Sequence, residues 1–258
     1  MTILATQPLW LSLLCLVILP TLVGMAGPIV IRRFVTLDKL RTNNEVAGFK
    51  FATIGVLYAV LLAFAVVVVW EKFSECEGVV AQEAGAAASL YRLADGLDQD
   101  AGARLHDQLT IYLKSAIADE WPALAQGRAS RDTTKALNEL YQPVLAFKPA
   151  DLHGNQLLAE VLHQLDQLTD ARRALVVAAP GVVPSVLWIA LFSGAVVTIC
   201  FTFFFGTENL RAQALMTGAL GFLIWSGMLI IITIDHPFIG AVQVTPEALV
   251  AVMEDFGG

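Results

Sequence analysis

Charge is scarce in this chain. Of its 258 residues 15% are charged and 57% are hydrophobic, whereas a water-soluble domain of this length carries about 25% charged residues. The deficit is uneven: charge nearly vanishes from four stretches and collects between the second and third. Basic residues are the scarcer sign, and a formal net charge of -7 argues against a nucleic-acid binder, which needs a basic face. Cysteine is rare and odd in number. Cys15 and Cys200 lie in apolar runs and Cys76 just follows one. Without a C-x-x-C pair they make no disulfide framework, and they read as small buried hydrophobes. His106, His153, His163 and His236 are scattered, and none pairs at the i, i+4 spacing of a helical zinc site. There is no G-x-S-x-G, no H-E-x-x-H and no P-loop. No catalytic constellation, cofactor site or metal site is therefore expected, and no segment alternates as a strand would.

What remains is helical and oily. A helix needs about 20 apolar residues to cross roughly 30 Å of hydrocarbon, and four stretches qualify: 9–31, 46–70, 185–205 and 212–234. The first carries no charge before Arg32-Arg33, the reverse of secretory order, so it reads as a retained helix rather than a signal peptide. Pro20, Gly24, Gly27 and Pro28 within it are tolerable where neighbours satisfy the backbone. Short links, 206–211 between spans three and four and 32–45 between spans one and two, force antiparallel hairpins. Trp10, Trp70 and Trp188 lie near span ends, where an indole suits the headgroup level. Trp225, in mid-span, reads as packing.

The fold class expected is all-α. Residues 1–70 hold spans one and two. Residues 71–184 form a soluble helical bundle that continues helix two. Residues 185–235 hold spans three and four, and 236–258 form a tail with a short amphipathic helix. Arg32, Arg33, Lys39, Arg41 and Arg211 sit in the two hairpin turns, and both tails lack Lys and Arg. Basic residues near span ends favour the cytoplasmic side. Both turns are thus expected on the cytoplasmic side of the membrane, with the middle domain extracytoplasmic.

Span two carries a second pattern. Gly48, Ala52, Gly55, Ala59 and Ala63 recur at spacings of four and three, one narrow stripe on a helix. Small residues let backbones approach closely in lipid, so the stripe is a candidate packing seam. Lys50, Ile54, Leu57 and Leu61 then face lipid, with Lys50 snorkelling to the interface. No proline interrupts 45–97, which predicts one long helix ending near Asp98 to Gly102. Phe73, Val80, Ala84, Ala87 and Tyr91 extend its apolar face. Further on, Leu105, Leu109 and Tyr112 share a stripe, and Trp121-Pro122 marks a break. Ser130 or Asp132 caps a helix burying Leu137, Leu140, Tyr141 and Val144. Pro149 ends that helix. Asp151 caps the next, with Leu158, Val161, Leu162, Leu165 and Leu168 on one side. Thr245, Pro246 and Glu247 look like a last helix start, with proline at its first position.

Several polar groups are candidate sites. Asp235-His236-Pro237 closes span four; the ionisable pair suits pH sensing or ion guidance, or simply terminates the helix. Glu208, Asn209 and Arg211 suit a vestibule, or cap helix ends and pair locally. Asn44 and Glu45 read as a cap and an acidic first turn. Glu71, Glu75, Glu77 and Glu83 follow span two. In a symmetric oligomer with this helix at its axis they make rings that select cations; in a monomer they are a solvated face. Glu71, Glu75, Asp235 and His236 are the pore or gating candidates.

Two stretches carry a family resemblance: NNEVAGFKFATIGVLYAVLLAFAVVVVWEKFSECEGVVAQEAGAAASLYRLADGL from Asn43, and GTENLRAQALMTGALGFLIWSGMLIIITIDHPFIGAVQVTPEALVAVMEDF from Gly206. Both resemble the widespread bacterial membrane proteins described as bestrophin-like, a domain of unknown function distantly related to bestrophin channels. The resemblance implies pentameric anion channels as distant relatives, with two helix pairs flanking a helical domain. The glycine-rich, proline-containing pore run and the acidic calcium clasp of true bestrophins have no counterpart here. Two functional classes follow. One is an oligomeric ion channel with span two along its axis. The other is a non-conducting, membrane-anchored helical sensor or scaffold. The partners expected are the lipid bilayer, ions and further copies of the chain, but no nucleic acid.

Overall fold

The computed structural model describes residues 7–256. Residues 1–6, which open the first sequence segment and most of its lysine-free tail, and 257–258, which close the last, lie outside the described residues. Helix accounts for all regular structure among them. In chain order the helices are α1 (Leu9–Phe34), α2 (Leu37–Arg41), α3 (Asn44–Ala94), α4 (Gln99–Ser115), α5 (Trp121–Leu124), α6 (Arg131–Ala146), α7 (Leu152–Ala178), α8 (Ser185–Phe201), α9 (Leu210–Ile234) and α10 (Glu247–Asp255).

The chain forms two compact units. One holds the residues through Glu71, then Val182–Asp235 and Gly240–Val242. The other holds Lys72–Gly181, His236–Ile239 and the residues from Gln243 onward. Helix α3 supplies residues to both.

In the first unit α9 packs along α1, and α8 packs on α9. Tyr58, Ala195, Ile199 and Ile224 form a buried cluster, flanked by Leu61, Leu62, Phe203, Leu220 and Trp225. Glycines set the approach of α3: a Cβ on Gly194 would lie 2.5 Å from the Tyr58 ring, and one on Gly227 2.8 Å from Leu62. Much of the remaining surface is large and apolar, including Phe34, Phe49, Leu57, Phe64, Val186 and Leu223. That is far beyond the apolar patch a water-soluble monomer exposes.

In the second unit the expected stripes are buried. Val80, Ala84, Ala87, Leu105, Leu109, Tyr112, Leu137, Leu140, Val144, Val161, Leu165 and Leu168 all lie in the core, while Tyr91, Leu158 and Leu162 are half-buried. Burying each leucine from water is worth about 2 kcal/mol. Ser130 accepts from the Thr133 N–H and Asp151 from the Gly154 N–H, at 3.2 Å and 2.7 Å. Each satisfies an N–H that a helix start leaves without an intrahelical partner.

Four local expectations are corrected. The long helix ends at Ala94, a turn early, because Asp98 belongs to the next helix and caps it through Ala101 N–H at 2.8 Å. Trp121-Pro122 does not break the helix. A π turn, Ala116–Glu120, sits just before it, and the wider turn accommodates a ring that would crowd the carbonyl four residues back. Pro20 repeats this arrangement behind the π turn Leu14–Ile18. The true stop is Gly127 at φ 69°, with Arg128 N–H on Ala123 O and Gly127 N–H on Leu124 O, a Schellman motif that needs a left-handed residue. Pro246 precedes α10 as its N-cap residue rather than occupying the first helical position. Cys15 is exposed rather than buried, while Cys76 is buried and Cys200 half-buried.

Candidate functional site

Two connecting turns of the first unit interlock. The Asn44 amide donates through Nδ2 to Gly206 O and accepts at Oδ1 from Gly206 N–H, both at 2.8 Å. Arg41 reaches Glu208 at 2.5 Å, and Arg32 donates to the Thr207 carbonyl. The Arg41 guanidinium holds the Glu208 carboxyl below its ordinary range, through its hydrogen bond first and its charge second. Gly206 is buried, and a Cβ there would lie 2.7 Å from Arg41 N and 2.9 Å from Leu40 C. Only glycine lets the two backbones come so close. Gln213, 3% exposed, ties the same turn, donating to Phe205 O at 2.6 Å and accepting from Thr207 Oγ1 at 3.1 Å. Asn209 accepts from Arg211 and Ala212 N–H and caps α9. Glu208 thus pairs across to the other turn rather than locally. Asn44 is spent on Gly206, and the first α3 backbone bond, from Ala47 N–H, goes to Asn43 O.

The small-residue stripe of α3 lies elsewhere. Ala52, Ala59 and Ala63 are exposed and Gly48 and Gly55 half-buried. A Cβ on Gly55 would meet nothing within 4 Å, and one on Gly48 only Phe205, at 4.0 Å. Within one chain α3 packs instead through Tyr58, Leu61 and Leu62, with Tyr58 Oη donating to Leu191 O at 3.2 Å. Leu61, expected to face lipid, is therefore part of the packed side; Lys50 and Leu57 are exposed.

Glu71, Glu75 and Glu77 are exposed, and Glu75 pairs with Lys72 at 2.5 Å. Glu83 differs from them. It is 2% exposed, and its Oε1 accepts from Tyr112 Oη at 2.5 Å. Burial pushes its carboxyl up to about 7, against the hydrogen bond from Tyr112 and the charge of Arg172. Burial likewise pushes the Tyr112 hydroxyl well above its usual value and the Cys76 thiol up to about 11. Asp235 is buried, and its Oδ1 accepts from Val182 and Val183 N–H at 3.1 Å and 2.8 Å. His236 is buried in the second unit. Among the described residues, no His, Cys, Asp and Glu side chains gather in a group that can hold a metal ion.

Sequence reasoning passed over Gln213, Tyr112, Glu120 and Arg172 as polar groups of consequence. Glu83 had a signal. Phe73, Cys76, Val80, Glu83, Ala87, Leu90 and Ala94 alternate spacings of three and four, and all are buried. That repeat marks one packed helix face.

Among the described residues four helices are long and apolar enough to cross a membrane, within Leu9–Phe34, Asn44–Ala94, Ser185–Phe204 and Leu210–Ile234. With the exposed apolar surface around them, they define an α-helical membrane protein. The model of the Bestrophin-like domain family matches residues 18–249, and the chain belongs to that family. Its fold is shared by solved structures. A bacterial bestrophin homolog from Klebsiella pneumoniae with an isoleucine-to-threonine mutation aligns at TM-score 0.70 and 14% identity, over 93% of this chain and 99% of that one. A leucine-to-threonine variant aligns at 0.70 and 15%, over 93% and 98%. A structure described as a membrane protein with a glycine-to-alanine mutation aligns at 0.69 and 15%, over 93% and 96%. No curated protein matches in sequence.

Proposed function

We propose that this chain is one subunit of an oligomeric ion channel in the bacterial inner membrane, with the small-residue side of α3 turned toward the assembly axis. One observation carries the reading. Among the described residues Ala52, Ala59 and Ala63 are exposed and a Cβ on Gly55 would meet nothing within 4 Å, although such stripes let helices approach, while α3 packs within the chain through Tyr58, Leu61 and Leu62. A second copy of the chain is the occupant this stripe fits. Membership of the Bestrophin-like family supports the channel class.

In this reading the two hairpins, 9–70 and 185–235, flank a helical domain that stands in water outside the membrane. The interlocked turns, rich in arginine, lie together on the cytoplasmic side. Glu71, Glu75 and Glu77, exposed just beyond the apolar part of α3, ring the pathway and raise the local cation concentration. Purified protein in a planar bilayer then shows unitary currents that scale with salt, and its detergent-solubilised mass corresponds to several copies. A silent bilayer together with a monomeric mass overturns the reading and leaves a membrane-anchored helical scaffold.

A further inference from the structure

The core of the second unit holds more acid than base. Arg172 is 8% exposed and Glu120 3% exposed. Arg172 Nη2 donates to both Glu120 oxygens at 3.0 Å, to Thr134 Oγ1 at 3.0 Å and to Ser130 O at 3.3 Å. Glu120 also accepts from Ser130 N–H at 3.1 Å. That carboxylate is therefore matched in charge and in hydrogen bonds. Glu83, as deeply buried, has a phenol as its partner. Two buried carboxyls under the influence of one guanidinium leave one negative charge uncompensated if both ionise, and burying an unpaired charge is costly.

We propose that Glu83 is a proton-binding site, occupied in the folded protein when the surrounding water is mildly acidic and emptied when it turns alkaline. The proton comes from water and goes onto the Glu83 carboxylate, making the cluster Glu83–Glu120–Arg172 neutral; Tyr112 keeps its own proton and remains the hydrogen-bond donor. The groups that act on Glu83 are Tyr112 from α4, Glu120 from the π turn and Arg172 from α7. Helix α6 lends the Thr134 hydroxyl to Arg172, and Ser130, which precedes it, gives its N–H to Glu120, while the Thr133 hydroxyl is bonded to Ser115. On α3 itself the nearest titratable group along the same buried face is Cys76, a thiol two turns away; Glu75 and Glu77 are exposed. Because Tyr112 and Arg172 favour the charged carboxylate and burial opposes it, the site titrates near neutrality instead of staying protonated throughout.

Difference infrared spectroscopy on the full chain in lipid nanodiscs tests this. A protonated-carboxyl stretching band is expected to vanish with a midpoint of about 7 as pH is raised from about 5 to about 9. Glu83→Gln removes that band. Tyr112→Phe deletes the hydrogen bond to the charged form and moves the midpoint upward by about one pH unit. The proposal is overturned if no carboxyl band titrates in this window, or if Glu83→Gln leaves the band in place. Should Glu83→Gln fail to fold, Tyr112→Phe decides: an upward shift supports the site and an unmoved midpoint overturns it.

Discussion

Asn44 grips the backbone of Gly206 from both sides, giving one hydrogen bond to its carbonyl and taking one from its N–H. The two residues stand 162 positions apart, so this one side chain links the connection between α1 and α3 to that between α8 and α9. Asn44→Asp cannot donate and keeps only half of the clasp. Asn44→Ala loses both bonds and leaves the Gly206 amide to be satisfied by other means. Losing a neutral hydrogen bond costs about 1 kcal/mol, and stranding a buried partner about 1–3 kcal/mol. Thermal unfolding in mild detergent is expected to rank wild type above Asn44→Asp, and Asn44→Asp above Asn44→Ala.

Gly206→Ala tests the same junction from the other side. The added methyl meets backbone atoms of Leu40 and Arg41 inside 3 Å, and backbone cannot rotate away as a side chain can. The turns must separate, so the clasp and the Arg32 and Arg41 contacts weaken together. The expected destabilisation exceeds that of Asn44→Ala, and cross-linking of cysteines placed on the two turns should fall with it.

The helices were legible in the sequence because their signals are long and redundant. A 20-residue apolar run or a repeated leucine stripe survives local irregularity, as α1 does in carrying two prolines and a π turn. The junction of turns was not legible, since Asn44 and Gly206 gain meaning only once two segments far apart in sequence meet. Asn44 looked like a helix cap because asparagine before a helix normally is one. Glu83 was misread for a different reason. Its type suggested water, whereas its position in the three-four repeat of Phe73, Cys76, Val80 and Ala87 placed it inside. Where residue type and periodicity conflict, the side chain's surroundings decide, and here those were Tyr112, Glu120 and Arg172, each from another part of the chain.

Two glycine substitutions separate packing within the chain from packing between copies. Gly194→Ala drives a methyl into the Tyr58 ring and is expected to cost about 1–3 kcal/mol in the unfolding of the single chain. Gly55→Leu places its Cβ where no other part of the chain lies within 4 Å and should not destabilise the monomer. In the channel reading it spoils the seam between copies, so native mass in detergent drops toward one chain and unitary currents vanish.

Removing one member of the buried ion pair should do more harm than removing both. Arg172→Met strands Glu120, which loses its charge partner while keeping the Ser130 N–H. Breaking a buried pair from one side costs about 3–5 kcal/mol. Arg172→Met combined with Glu120→Leu leaves no orphaned charge and is expected to recover much of that loss in chemical unfolding of the full-length protein. A double variant no more stable than Arg172→Met would mean that the bonds to Ser130 and Thr134, rather than the ion pair, hold this corner together.

The proton on Glu83 also has a signature in stability. Its carboxyl rises from 4.5 to about 7 on folding, with burial the largest cause. The native state therefore binds the proton more tightly than the unfolded chain. Below about pH 4.5 both states are protonated and the site adds no cost. As pH climbs toward 7 the unfolded chain releases its proton first, so stability falls, and above 7 the loss levels off at about 3 kcal/mol. Glu83→Gln cannot ionise and should lack this fall. Its melting temperature, compared with wild type across pH 5 to 8 in one detergent, is expected to overtake the wild type on the alkaline side of the window. Parallel curves for the two proteins would show that no proton is taken up at this position.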